Sequence, residues 1–202
     1  MTARTGPAGV TREARPSRTV QAWIEPIADD PEALSALEVA RRALPASLRL
    51  RSLRRMRLME ITGPLKEGWD VGERLHESTQ FYNPHKERVF LRQSAADRTP
   101  GSAEERLVLI RERGGERRAA AERWWRHVTG DPVQVREATV WLVTPESAET
   151  ATALLGELVE LRDRHHGLLC NPHSQDRELA SATVPVPWLD QARPERARKG
   201  RR

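Results

Sequence analysis

The sequence predicts an α+β protein made of two β-α-β-β-α-β units in tandem, with their sheets packed face to face. Two observations predict it. Short apolar-alternating segments and helical apolar stripes follow one another in the same order twice, separated by Gly, Pro and Asp turns. The tripeptide Asn-Pro-His also occurs twice, at 83–85 and 171–173, each time just after the second helix of its run. At the same offset Gly68 matches Gly156, Val71 matches Val159, Arg74 matches Arg162, and Glu87 matches Gln175. A unit of this kind covers one sheet face with helices and leaves the other bare. Two units that bury their bare faces together solve that problem, and fusion makes the pairing intramolecular.

The first unit opens with Thr19–Ile27, where Val20, Ala22 and Ile24 alternate with polar residues as in a half-buried strand. Pro26 ends that strand or places it at an edge. Asp30 is a helix cap and Pro31 suits the first turn. Leu34, Leu37 and Leu44 then mark a buried helical stripe that Pro45 stops. Over 48–61 the apolar phase slips at Ser52 and after Leu58, which predicts two strands joined by a turn at Arg54–Arg55. A second helix over 67–79, weakened by Gly68 and Gly72, ends before Asn83-Pro84. Val89–Leu91 is a short strand.

Residues 93–104 read as a linker by composition. The second unit then offers a strand at 107–111, a Gly114–Gly115 turn, and a helix over 116–128 with Ala119, Ala120, Trp124 and Val128 on one side. Strands follow at 133–135 and 139–143. Thr144-Pro145 starts a helix running to about His166, and a last strand lies within 177–187. The expected organisation is a disordered basic tail over 1–17, units at 18–92 and 105–187 around the 93–104 linker, and a second disordered basic tail over 188–202.

Composition limits the function classes. Of 202 residues, 31% are charged and 38% hydrophobic, which is compatible with a globular core. No run approaches the roughly 18 apolar residues of a membrane helix. The first ten residues lack an apolar signal core, and the single Cys170 has no internal disulfide partner, so a reducing cytoplasm is the expected compartment. The net charge of +5 resides at the ends: residues 1–18 carry +3 and residues 190–202 carry +4, leaving the middle slightly acidic. Such ends either bind polyanions or are simply solvated.

No catalytic, cofactor or metal site is predicted. Among six His, His85 and His173 occupy equivalent places, where with Glu87 and Gln175 they suit either a shared divalent ion or two turn caps. No HExxH or CxxC spacing supports the first. Cys170 near His173 pairs as a nucleophile with its base, or is a small buried residue. Gly114–Gly115, with Arg111, Arg113, Arg117 and Arg118 around it, offers an anion site at a helix start or a plain turn. Trp23, Trp141 and Phe90 on strands suggest a base-stacking sheet only weakly, since no RNP-type segment accompanies them. Of the adjacent Trp124 and Trp125, one is core and the other lies at an interface.

The residues also resemble a family. Ile24-Glu25-Pro26 followed by Asp30-Pro31-Glu32-Ala33, then Arg41-Arg42-Ala43-Leu44, is similar to the strand, turn and Asp-Pro helix start of the PurS family. That family is the small subunit of phosphoribosylformylglycinamidine synthase. Leu168-Leu169-Cys170-Asn171-Pro172 is similar to its Leu-Leu-Ala-Asn-Pro, and the likeness spans roughly 19–92 and 106–180. The departures are His85 and His173 after Asn-Pro, Arg54-Arg55 and Glu137-Ala138 at the hairpin turns, and the missing Asp-Pro start in the second half. The resemblance implies two ferredoxin-like units and a non-catalytic adaptor of de novo purine biosynthesis. It implies that the partners are a synthetase and a glutaminase, with no cofactor of its own. The candidate partner interface is then Asn83, Pro84 and His85 with Asn171, Pro172 and His173. The alternative is a nucleic-acid-binding module that uses the basic tails.

Overall fold

The structure is a computed structural model and describes residues 15–45, 48–65, 71–160, 168–181 and 183–189. Its elements run β1 (Arg18–Pro26), α1 (Pro31–Ala43), β2 (Leu50–Gly63), α2 (Val71–His76), β3 (Glu87–Arg92), β4 (Arg106–Glu112), α3 (Ala119–Thr129), β5 (Gln134–Pro145), α4 (Ala151–Val159) and β6 (Gln175–Ala180). The α+β class is as the sequence predicts. The sheet arrangement is not: all six strands form one antiparallel sheet in the order β3-β1-β2-β5-β4-β6. The halves join edge to edge through β2 and β5 rather than face to face.

Two strands are longer than the sequence suggests. The expected turn at Arg54–Arg55 is absent, and β2 runs unbroken through it, paired with β5 from Leu50↔Pro145 to Thr62↔Gln134. A register shift between Leu50 and Ser52 accounts for the first phase slip. The second arises because Leu58 and Met59 are both buried, on opposite faces. Likewise β5 joins the two strands expected at 133–135 and 139–143 and continues through Thr144, the expected helix cap. Thr144 instead accepts from the Ser52 hydroxyl across the ladder, 2.7 Å away. Each half is thus β-α-β-α-β, without the hairpin that the family resemblance implies.

The halves are nevertheless equivalent in register. Leu91 of β3 pairs with Ala22, which pairs with Met59. The corresponding Leu179 of β6 pairs with Val108, which pairs with Trp141. This equivalence carries Arg57 onto Thr139, and those two residues face each other in the central ladder. A pseudo-twofold axis therefore passes through that pair.

The helices share one sheet face but exchange halves. The N-terminal part of β2 extends beyond β1, whose last partner is Arg57. Helix α1 settles there, over the β2–β5 junction. Its Ala33 and Ala40 pack with Leu50 and Leu53, and also with Val108, Ile110, Trp141 and Val143 of the second half and α4. In the same way Ala121 and Trp125 of α3 pack among Val20, Ala22, Ile24, Met59 and Ile61 of the first half. Between the two cores runs an ionic seam at the axis, where Arg57 pairs with Glu87 and Glu137, and Arg118 with Glu137.

Asp30 caps α1 by accepting from the Glu32 amide, as expected. The buried stripe is Ala33 and Ala40 rather than Leu34, which is 50% exposed. Small residues let the helix approach the sheet closely where Arg55, paired with Asp30, rises from it. In α3 the buried face is Ala121, Glu122 and Trp125, one position on from the expected stripe. That helix ends at Gly130, whose φ of 74° suits a left-handed cap. Of the helix expected over 67–79, α2 covers 71–76, with 66–70 outside the described residues. The helix expected from Thr144 to His166 is α4 over 151–159, and 161–167 lie outside the described residues.

Because each half's first helix completes the other's core, the chain should unfold as one cooperative unit. Urea unfolding followed by circular dichroism and by Trp fluorescence should give coincident transitions; two separated transitions would refute the shared cores. Trp125→Ala should cost about 3–5 kcal/mol and lower that one transition as a whole.

Candidate functional site

The two Asn-Pro-His corners are built alike. The Asn83 side chain accepts from the His85 amide at 3.0 Å, and its carbonyl accepts from the Glu87 amide at 2.8 Å. Asn171 repeats both bonds with His173 and Gln175, at 3.0 and 2.8 Å. Glu87 and Gln175 return the favour by accepting from the Asn83 and Asn171 amides, at 2.7 and 2.8 Å. Each corner is a local turn closed by side chains. Buried residues anchor it from behind: Phe81 and Tyr82 in the first copy, Leu169 and Cys170 in the second. Phe81 lies edge-on to Trp124 and Trp125, with ring centroids 5.4 and 5.9 Å apart. Trp125 is core and Trp124 half-buried beside it.

Pro84, His85 and His173 are exposed or nearly so, and each corner precedes an edge strand. The strands they lead into are the outermost two of six and run in opposite directions, so the corners are separated by roughly 24 Å across the sheet by strand spacing and are further offset along it. His85 and His173 do not face each other and cannot share an ion. Among the described residues no group of His, Cys, Asp and Glu is arranged to hold a metal.

The other readings are narrowed by geometry. Cys170 is buried, and burial pushes its thiol up from the ordinary value, the opposite of what a nucleophile needs. Around Gly114–Gly115 the arginines are engaged internally. Arg111 pairs with Glu178, Arg113 with Asp176, Arg117 with Glu122, and Arg118 with Glu137. The helix does not start at 116 either, since Arg117 bridges to Arg136 and α3 begins at Ala119. Trp23 and Trp141 are buried on opposite faces of the sheet, which leaves Phe90 alone as an exposed ring. The basic tails lie almost wholly outside the described residues.

The sheet face away from the helices holds what the sequence did not announce. Trp23, Met56, Leu58, Leu107, Leu109, Val140 and Leu142 form a third core there, roofed by Val184, Trp188 and Leu189. Trp188 and Leu189, expected in the basic tail, are thus part of the folded body. Trp188 stacks on Trp23 with centroids 6.1 Å apart. A buried polar cluster ties this roof down. Glu60 accepts from the Trp188 and Leu189 amides at 2.5 and 3.0 Å and from the Gln21 side chain at 2.8 Å. The fully buried Arg92 donates to Gln21, to the Asp97 carbonyl and to the Val184 carbonyl, at 2.7, 3.0 and 3.0 Å. Its desolvation lowers the guanidinium pKa, while Asp97 and Glu60 oppose that. Beside this cluster the 93–105 connection overhangs β3, β1 and β2 and leaves a pocket of about 600 Å³. The polar composition of 93–104 reads as linker and hides this role. The one hint was that Gln21 and Glu60 each sit between two apolar neighbours, Val20 and Ala22 in one strand and Met59 and Ile61 in the other.

Comparison of the chain with protein-family models, curated proteins and solved structures gives no match. Among the described residues no helix is long and apolar enough to cross a membrane.

Glu122 is a titrating site inside the first core. Hydrogen bonds from Arg117 hold its carboxyl below the ordinary range, helped by the Val135 amide and opposed by burial. A depressed carboxyl contributes stability above its unfolded pKa, about 4.3, and loses it as pH falls through the lower folded value. The stability gap between wild type and Glu122→Gln should therefore be full at pH 7 and close below about pH 4. Denaturant melts across that range check it, and a gap of constant size would refute it.

Proposed function

We propose that the chain is a non-catalytic adaptor that holds a different partner at each of its two equivalent corners. The observation that carries this reading is the repetition of one rigid, exposed turn at opposite edges of a single sheet. A bridge needs two presenting surfaces on a body that does not flex between them, and a continuous ladder from β3 to β6 supplies such a body. Interface residues on short, side-chain-closed turns lose little entropy on binding. Asn83, Pro84 and His85 present one surface, and Asn171, Pro172 and His173 the other.

The PurS resemblance suggests the partners: the synthetase and the glutaminase of a phosphoribosylformylglycinamidine synthase-type complex in purine synthesis. The β1 end at Pro26 and the Asp30-capped start of α1 support that likeness. The unbroken β2 departs from it. In this role the chain contributes placement, keeping the ammonia source and its consumer in register, and no reacting group of its own.

The test is binding of the purified chain to each of those two enzymes by size-exclusion chromatography and calorimetry. His85→Glu and His173→Glu, both at exposed turn positions, should each weaken one partner at least tenfold and spare the other. Binding of neither enzyme refutes the purine assignment. Equal loss of both partners in either variant refutes the two-ended bridge.

A further inference from the structure

We propose that the pocket beneath the 93–105 connection binds a small organic anion with an apolar, ring-sized body. The pocket lies on the sheet face opposite the helices and is independent of both corners. Met56 and Phe90 give it apolar walls, and the Arg98–Gly101 turn overhangs it. Phe90 is 42% exposed although it stands opposite the buried Trp23 in the β1–β3 ladder. An exposed ring in that position lines a cavity rather than closing a core.

The charges decide the ligand class. Arg54 is committed: it donates to Glu105 at 3.0 and 3.2 Å and to Glu25 at 3.2 Å. The same Glu105 accepts from the Ser102 amide at 2.6 Å, which fixes the turn above the pocket. Gly101, with φ of 129°, makes the sharp change of direction there. Glu25 and Glu105 are therefore spent on Arg54 and leave no free anion for a cationic guest. Arg98 lines the same pocket and makes no hydrogen bond or ion pair among the described residues. Next to it the Thr99 hydroxyl is buried without a partner, in a residue only 6% exposed. Buried hydroxyls are ordinarily satisfied, so an orphan in a pocket wall marks a place where a bound group completes the set.

An available guanidinium, a donor hydroxyl and apolar walls recognise a carboxylate, sulfonate or phosphate joined to a flat hydrophobic body. A volume of about 600 Å³ lies in the range of small-molecule sites. It accommodates one or two fused rings and excludes a folded partner.

The probe is 8-anilinonaphthalene-1-sulfonate, titrated into the full chain and read by fluorescence, with N-phenyl-1-naphthylamine as its neutral counterpart. The expected result is one saturable site for the sulfonate. Arg98→Gln should weaken it at least fivefold and leave the neutral probe within twofold. Arg98→Lys should retain most of the sulfonate binding, and Phe90→Ala should weaken both probes. Arg123→Gln, on the exposed face of α3, should change neither. Circular dichroism of each variant confirms that the fold is kept. Non-saturating fluorescence from the folded chain overturns the proposal. So does a sulfonate affinity that Arg98→Gln leaves unchanged, or equal loss of both probes in that variant.

Discussion

The antiparallel ladder between β2 and β5 is the constraint on which the rest of the molecule depends. It makes one sheet out of two halves and places the pseudo-twofold axis at Arg57 and Thr139. It also leaves the start of each long strand projecting past its own half. That overhang is why α1 and α3 cross to the opposite side: the apolar surface they need lies there. Neither half's core is then complete without residues of the other, and the axis becomes a polar seam of Arg57, Glu137 and Arg118 between two apolar cores.

A single sheet with all helices on one face would expose its other face to water. The chain solves this with its own connection and C-terminal segment rather than with a second sheet. The buried carboxylate of Glu60 receives three donors, and the guanidinium of Arg92 meets Gln21 and two carbonyls of its closest set. Burial of such groups is costly unless their partners are in place. The observed path of residues 183–189 satisfies both, bringing the Val184 carbonyl to Arg92 and the Trp188 and Leu189 amides to Glu60. The Trp23–Trp188 stack fills the space beside them. The cover is incomplete over β3, and the pocket lined by Phe90 and Arg98 is what remains.

Much of the element order was legible because local signals suffice for it. Alternation marked β1, the apolar run Leu107–Ile110 marked β4, Asp30-Pro31 marked the start of α1, and the repeated Asn-Pro-His marked two turns that prove identical in their bonding. Strand length was not legible. Arg54 and Arg55 look like turn residues, yet each has a carboxylate partner distant in sequence: Glu105 and Asp30. The candidate corners were visible in the sequence, but the distance between them was not. The pocket was invisible, since its lining comes from three strands and a stretch whose polarity reads as linker.

By itself the sequence determined the α+β class and the chemistry of the two Asn-Pro-His turns, because these depend on residues within a few positions of one another. The tertiary structure alone decided that the halves join by strand edges, that their helices trade places, and that the second face is roofed by residues 183–189. Those outcomes depend on which unpaired edges and unsatisfied polar groups meet across dozens of residues, and no local pattern records that choice.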